Sequence, residues 1–339
     1  MPSDDLVRPE LDVPMTDSIF EDIEQVGEQL VEVRNGISRV IFGQESVIDE
    51  TLITLLSGGH LLLLGVPGLA KTRLVETLGT VLGLESRRVQ CTPDLMPADI
   101  VGSEILDETE DGRAFRFIPG PVFTQVLMAD EINRASPRTQ SALLQAMQER
   151  EVSVAGRTHP LPKPFHVLAT QNPIEQEGTY PLPEAQLDRF LLQVNVDYPD
   201  ADAERQMLLA TTGLEDPSPV QVMDAAQLIR AQKLVRRLPV GESVVEAILA
   251  LVRSGRPGVS DREEIANWVA WGPGPRASQA LMLATRARAL LQGRVSPSVD
   301  DVVALAPAVL RHRMALNFAA RADGRTLDEV IDRLCEPFN

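Results

Sequence analysis

An apolar run, a glycine-containing turn, a lysine and a threonine follow one another at residues 60–72 of this 339-residue chain. The run fits a strand that is buried on both faces, and apolar residues at helical spacing follow Thr72. A loop that opens a helix points backbone N–H groups and the positive end of the helix dipole at one spot, where anionic phosphate binds. The pattern therefore predicts a phosphate-binding loop, with Lys71 on the β- and γ-phosphates and the Thr72 hydroxyl on a Mg²⁺ ion.

The predicted loop departs at one position from the pattern G-x-x-x-x-G-K-[ST], because Ala70 stands where that pattern has glycine. Alanine is tolerated there if its φ is negative, as at the start of a helix, but not if its φ is positive. The other interpretation of the stretch is an ordinary Gly/Pro turn between a strand and a helix. The residues of the predicted loop are Gly65, Val66, Pro67, Gly68, Leu69, Ala70, Lys71 and Thr72.

Two carboxylates, Asp130 and Glu131, come directly after a second run that predicts a buried strand, residues 125–129. Beside a phosphate loop, Asp130 is predicted to hold Mg²⁺ and Glu131 to orient and deprotonate the attacking water. The alternative is a solvated Asp-Glu pair at the end of a strand.

An asparagine, Asn172, ends the next predicted strand. In a doubly wound sheet its amide lies at the same edge as Lys71 and Asp130, where it can hold the water or the γ-phosphate. Because Asn172 precedes Pro173, the alternative is a plain turn residue.

Two arginines complete the set of candidate catalytic residues. Arg189 lies just before a strand at the far side of the same domain, which makes it a candidate arginine finger for a neighbouring subunit. Arg276 lies at the start of a predicted helix, where a cation works against the helix dipole unless a γ-phosphate is nearby. For either arginine the alternative is a surface salt bridge.

The composition excludes several classes of protein. A formal net charge of −17 argues against a nonspecific nucleic-acid binder, although it leaves room for a local basic groove. Cys91 and Cys335 have no Cys or His neighbour at metal-ligand spacing, which argues against a zinc site. No secretion signal or membrane-spanning run is recognisable, so a cytoplasmic protein with reduced cysteines is predicted.

Alternating strands and helices in residues 17–212 predict an α/β nucleotide-binding domain with a parallel sheet covered by helices on both faces. Hairpins are predicted around Asp111-Gly112 and around Gly156. Residues 1–16 have the composition of a flexible acidic leader. After a linker near residues 211–220, only helical periodicity remains, so residues 213–339 are predicted to form a small all-α domain.

Taken together, these segments resemble the AAA+ ATPase superfamily and, within it, the MoxR family. The match covers the chain from about Val40 onward and includes the alanine before the lysine of the phosphate loop. The matching motifs are Walker A at residues 65–72, Walker B at 128–135, sensor 1 at 171–173, the arginine-finger box at 187–190 and sensor 2 at 274–277.

The resemblance implies an AAA+ core with a helical lid that hydrolyses ATP with Mg²⁺ in a homo-oligomeric ring, commonly of six subunits. It further implies remodelling or metal-centre maturation of client proteins, with a von Willebrand A domain protein as partner. Ile41, Gly43 and Gln44 lie where such ATPases contact adenine. The two predicted hairpins are similar to the helix-2 insert and the pre-sensor 1 hairpin, which usually face the pore of the ring.

Other functions share these nucleotide motifs. The alternatives are a nucleic-acid-dependent AAA+ motor, a magnesium-chelatase-like subunit, and a nucleotide-gated scaffold with negligible turnover. The net negative charge and the lack of an appended DNA-binding domain count against a nucleic-acid-dependent motor. The presence of Glu131 counts against a scaffold with negligible turnover.

Overall fold

A computed structural model describes residues 17–109, 112–175, 178–212, 218–260 and 262–338. The predicted acidic leader lies outside the described residues, as do Asp111 of the first predicted hairpin turn and residues 213–217 of the predicted linker. The division into domains at residue 212 therefore stays a prediction.

A parallel sheet forms the centre of the first part of the chain. Its described strands run in the order β2-β5-β8-β1-β9, and every neighbouring pair is parallel. Two antiparallel hairpins, β3–β4 and β6–β7, lie outside this sheet and correspond to the two predicted hairpins. The strands are β1 (Leu61–Leu64), β2 (Ser86–Gln90), β3 (Gly102–Thr109), β4 (Gly112–Pro119), β5 (Val126–Asp130), β6 (Glu151–Val154), β7 (Arg157–Pro160), β8 (His166–Gln171) and β9 (Leu192–Asn195).

Helices cover both faces of the sheet, which explains why its central strands are apolar without alternation. Leu61 and Leu63 of β1 pack into one hydrophobic cluster, whereas Leu62 between them packs into another on the opposite face. Helix α7 was not foreseen from the sequence. The helices of this part are α1 (Asp17–Ser38), α2 (Glu45–Leu56), α3 (Lys71–Val81), α4 (Pro97–Val101), α5 (Pro137–Glu149), α6 (Glu184–Leu187) and α7 (Ala201–Thr211).

The C-terminal part is helical, as predicted, with one addition. A short antiparallel pair joins β10 (Val269–Trp271) to β11 (Ala315–Leu316), in a region where the sequence indicated only helices. A 3₁₀ turn at Arg311–Arg313 precedes β11. The helices are α8 (Ala225–Arg237), α9 (Glu242–Ser254), α10 (Glu263–Trp268), α11 (Pro275–Leu291), α12 (Val299–Leu310), α13 (Phe318–Ala322) and α14 (Leu327–Cys335).

The helical part packs directly onto the sheet domain. Helix α11 contacts α2, and apolar residues of both parts belong to one continuous buried cluster. A polar contact adds to this packing, since Gln232 Nε2 on α8 donates to the Leu55 carbonyl at 2.8 Å. Within the described residues, no helix has both the length and the apolar character needed to cross a membrane.

One fully buried carboxylate in the helical part accepts hydrogen bonds from several of its neighbours. Asp301, in the first turn of α12, accepts hydrogen bonds from Arg288 and, at 2.6 and 2.8 Å, from Arg294. It also accepts from the Ser298 backbone N–H at 2.8 Å. Burial alone would raise the pKa of Asp301, but the hydrogen bonds from Arg294 and Ser298 outweigh it and hold this pKa below its ordinary value.

The Asp301→Asn variant should unfold more easily at pH 7, by roughly 3 kcal/mol, because it leaves two arginines without their buried carboxylate. Chemical denaturation measures this difference. The folded-state pKa of Asp301 is lowered, so its contribution is present at neutral pH and is lost as the pH falls through that folded pKa. The stability gap between wild type and variant should therefore narrow in acid.

The neighbouring Asp300 provides the control, because it occupies the same helical turn but is exposed. Asp300→Asn should change the free energy of unfolding by no more than about 0.5 kcal/mol. Equal losses in the two variants would contradict a special role for Asp301.

Candidate nucleotide site

The predicted phosphate loop connects the carboxyl end of β1 to α3, which begins at Lys71. Gly65 lies so close to β9 that a Cβ there would approach the Val196 carbonyl oxygen to 2.6 Å. Gly68 has a φ of +87°, a conformation that favours glycine. Two of the loop's small residues are therefore required by the backbone itself.

Ala70 does not meet the condition that the sequence suggested for it. Its φ is 55° and its ψ is 18°, in the left-handed region, whereas a negative φ was required for alanine to be comfortable. The conformation costs about 1–2 kcal/mol for a residue with a Cβ. Positive φ values at both Gly68 and Ala70 are typical of a nest, a backbone shape in which successive N–H groups converge on an anion.

The start of α3 is open to such an anion. Ala70 has no side chain able to cap the helix, and no side-chain cap is present at this end. The Lys71 ammonium folds back over the loop and donates to the Gly65 carbonyl at 2.5 Å and the Val66 carbonyl at 2.9 Å. Burial lowers its pKa, while Asp130 and Glu131 act in the opposite direction.

A cavity of about 440 Å³ lies over this loop. It brings together the predicted loop, both predicted carboxylates and the predicted asparagine from three different segments. Its lining residues are Pro67, Gly68, Leu69, Ala70, Lys71, Thr72, Arg73, Arg88, Gln90, Asp130, Glu131, Thr170 and Asn172.

Asp130 is buried at the end of β5 and is held from two sides. Its Oδ1 accepts a hydrogen bond from the Thr170 hydroxyl at 2.6 Å, and its Oδ2 forms an ion pair with Arg88 Nη2 at 2.5 Å. Beneath it, burial raises the pKa of the Cys91 thiol to about 12, with Asp130 and Glu131 adding to the shift. This cysteine is an inert part of the core.

Glu131 follows Asp130 in a left-handed conformation, with φ of 54° and ψ of 53°. Its backbone N–H donates to Thr170 Oγ1 at 2.8 Å. Gln90 Nε2 donates to its carboxylate at 2.9 Å, and Arg134 Nη1 approaches the same oxygen at 3.4 Å. Asp130 and Glu131 thus have different side-chain partners at the end of β5.

Asn172 lines the cavity. It also forms a turn, which was the alternative prediction for this residue. Its Oδ1 accepts from the Ile174 backbone N–H at 3.1 Å, an Asx-type turn. The predicted adenine-contacting residues are not among the residues that line this cavity. Ile41 is buried, Gly43 packs against α7, and Gln44 donates to the Asp197 carbonyl at 2.8 Å.

The two candidate arginines lie at the other edge of the sheet. Arg189 and Arg276 line a second cavity of about 270 Å³, together with the residues that lead into β1, Ser57 to His60, and into β9, Phe190 and Leu191. These residues mark the amino ends of the parallel strands, whereas the phosphate loop follows a carboxyl end. Arg189 donates to the Leu144 carbonyl at 2.6 Å, and Arg276 lies 3.8 Å from the Asp188 carboxylate.

Four residues that line the phosphate-loop cavity were missed in the sequence: Arg73, which directly follows the loop, and Arg88, Gln90 and Thr170. Arg88 and Gln90 lie on β2, and Thr170 lies on β8, the strands on either side of β5. The sequence contains the signal for each strand, but the order of strands in the sheet decides which side chains meet Asp130 and Glu131.

The donor set fits Mg²⁺. Thr72 and Asp130 provide hard oxygen donors in one cavity, and no cluster of three or more His, Cys, Asp or Glu suited to a metal occurs among the described residues. Mg²⁺ in nucleotide sites is commonly held by one or two protein oxygens together with the phosphates of the substrate. Thr72 and Asp130 would hold the ion here.

Comparison with known proteins agrees with this geometry. Residues 60–192 match the family described as ATPase family associated with various cellular activities (AAA), and residues 262–334 match the AAA lid domain. The chain is 44% identical over 301 residues to the chaperone MoxR1 of Mycobacterium tuberculosis, covering 88% of this chain and 79% of that protein.

Two further relatives support the same assignment. Protein MoxR of Methylorubrum extorquens is 33% identical over 297 residues, covering 83% of this chain and 85% of that protein. The solved structure of a candidate ATPase from Cytophaga hutchinsonii superimposes with a TM-score of 0.87 at 35% identity, over 95% of this chain and 98% of that one. The chain therefore belongs to the MoxR family of AAA+ ATPases.

Proposed function

We propose that this protein hydrolyses ATP in a homo-oligomeric ring, with each active site formed by two neighbouring subunits. The observation that carries this proposal is the separation of the candidate residues onto opposite edges of one parallel sheet. Lys71, Asp130 and Glu131 lie at the carboxyl edge, whereas Arg189 and Arg276 lie at the amino edge.

The nucleotide side of the site belongs to one subunit. The nest at Gly68–Ala70 and the N-terminus of α3 bind the phosphates, and Lys71 exchanges its two carbonyl acceptors for phosphate oxygens. Thr72 and Asp130 would hold Mg²⁺, and the ion would supply positive charge beside the phosphates. Ile41, Gly43 and Gln44 stay the predicted contacts of the adenine.

Hydrolysis needs a positioned and activated water. We assign its deprotonation to Glu131, which Gln90 and Arg134 hold in place, and its orientation to Asn172 in the same cavity. Phosphoryl transfer depends mainly on position and charge, so groups placed this way supply most of what the reaction requires.

The other side of the site comes from the neighbour. The four residues of β1 alone span about 13 Å, and the loop lies beyond them, so neither Arg189 nor Arg276 can reach the phosphates of its own subunit. Both would reach the nucleotide of an adjacent subunit whose carboxyl edge faces this amino edge. A ring of six is the assembly that the family resemblance implies.

We propose that the energy of ATP hydrolysis is used to remodel or mature a client protein, with a von Willebrand A domain protein as partner. The name of the M. tuberculosis relative, a chaperone, supports this direction. Hairpin β3–β4 exposes large apolar side chains, including Leu106 at 53% and Phe115 at 68%, which are suited to protein contacts. The cytoplasm is the proposed location, where the buried free cysteines stay reduced.

Lys71→Ala and Glu131→Gln should separate binding from turnover. Lys71→Ala removes the charge at the phosphate cradle and should abolish ATP binding, whereas Glu131→Gln keeps the cradle and should block hydrolysis alone. Fluorescent-nucleotide titration and phosphate release measure the two effects. Wild-type hydrolysis by Glu131→Gln would disprove the assignment of the base.

Mixing inactive variants tests the two-subunit site. Arg189→Ala should lower ATPase activity by roughly 10³-fold or more, as expected for a finger supplied by a neighbour. Mixed with Glu131→Gln subunits, it should recover part of the activity, because some interfaces then pair an intact Glu131 with an intact Arg189. Exposed Arg321 provides a control, since Arg321→Ala should hydrolyse ATP at the wild-type rate.

Stimulation of the ATPase separates the proposed function from its alternatives. A von Willebrand A domain protein should raise the hydrolysis rate, whereas double-stranded or single-stranded DNA should leave it unchanged, in keeping with the net charge of −17. Stimulation by DNA alone would favour a nucleic-acid-dependent motor.

A further inference from the structure

A buried arginine from the helical lid lies beneath the segment that carries Arg189. Arg313, in the 3₁₀ turn after α12, is only 2% exposed. Its Nη2 donates to the Phe190 carbonyl at 2.6 Å and to the Asp188 carbonyl at 3.4 Å, and its Nη1 donates to the Leu191 carbonyl at 3.0 Å. Three carbonyl groups around Arg189 therefore accept from one side chain.

The remaining N–H groups of Arg313 donate to the lid on one side and to the Asp188 carboxylate on the other. Nη1 also donates to the Val309 carbonyl at 2.7 Å, within the lid itself, and Nε donates to Asp188 Oδ1 at 2.7 Å. All five N–H groups of the guanidinium are thus used. The adjacent His312 adds a bond from Nε2 to the Phe190 carbonyl at 3.1 Å.

Asp188 extends the arrangement to the second catalytic arginine. While Oδ1 accepts from Arg313, Oδ2 lies 3.8 Å from Arg276 Nη1, so one carboxylate stands between the two cations. Burial lowers the pKa of Arg313, Asp188 raises it, and Arg276 lowers it again. The ion pair with Asp188 offsets part of the cost of burying the Arg313 charge.

We infer that Arg313 is a positioning residue for hydrolysis in the neighbouring subunit, because it fixes the backbone of residues 188–191 and, through Asp188, sets Arg189 and Arg276 as one unit. The inference rests on the proposed composite site. It gives the helical lid a second role, the positioning of Arg189, in addition to its packing against the sheet domain. A fork of five donors is required, so a lysine with three donors cannot replace it.

The test uses Arg313→Lys, which keeps the charge but loses the fork. The variant should bind ATP with wild-type affinity at its own loop, while its ATPase activity falls on the order of 100-fold, the cost of misplacing a catalytic group by about 1 Å. Asp188→Asn, at a less buried position, should show the same pattern and provides a second measurement if Arg313→Lys does not fold.

Complementation assigns the defect to one side of the site. Arg313→Lys subunits keep Lys71 and Glu131, so mixing with Glu131→Gln subunits should restore part of the activity. Mixing with Arg189→Ala subunits should restore none, because both variants then lack a competent finger. A residue needed only for general stability would not distinguish these two partners.

Arg294→Met is the matched control. It removes another multiply bonded ion pair of the lid, the one with buried Asp301, without touching residues 188–191. It should lower the melting temperature and leave activity per folded subunit unchanged.

The outcomes distinguish a failure of the positioning role of Arg313 from a failure of the proposed two-subunit site. If Arg189→Ala and Glu131→Gln fail to complement each other, the composite site itself is wrong and the inference falls with it. If they complement but folded Arg313→Lys retains wild-type activity, or restores activity to Arg189→Ala, the positioning role is overturned while the composite site stands.

Discussion

The direction of a parallel sheet is the constraint on which the rest of this protein depends. Because all neighbouring strands run the same way, every loop that follows a strand lies at one edge, and every segment that leads into a strand lies at the other. Lys71, Asp130 and Asn172 follow strands, whereas Arg189 precedes one. The fold thus gathers the phosphate loop and the carboxylates at one edge and places the candidate arginines Arg189 and Arg276 at the other.

The sequence was enough to locate most of these groups. Buried runs that end just before the phosphate loop, at Asp130 and at Asn172 identify strand ends without knowledge of the sheet, since parallel strands need no alternation of polar residues. The start of the helix that carries Arg276 was equally accessible, because apolar periodicity is a local signal, and Arg276 lies in the first turn of Pro275–Leu291.

What the sequence could not supply was set by tertiary structure. The positive φ of Ala70 is set by the path of the loop between β1 and α3, and no local preference of alanine predicts it. Arg88 and Gln90 meet Asp130 and Glu131 only because β2 lies beside β5. The short pair β10–β11 has three residues in one strand and two in the other, too few for any periodicity to be visible.

The arginines at the amino edge also give a physical reason for the proposed assembly around nucleotide. Asp188 carries the only carboxylate among the described residues that line the second cavity, whereas Arg150, Arg189, Arg236 and Arg276 all reach it. Positive charges that lie close together and are partly shielded from water repel one another. An anion that binds between them reduces this repulsion. A triphosphate bound at the carboxyl edge of the neighbour is such an anion. In the proposed ring, the attraction between these arginines and the phosphates would therefore strengthen the interface between subunits as well as stabilise the charge that develops during hydrolysis.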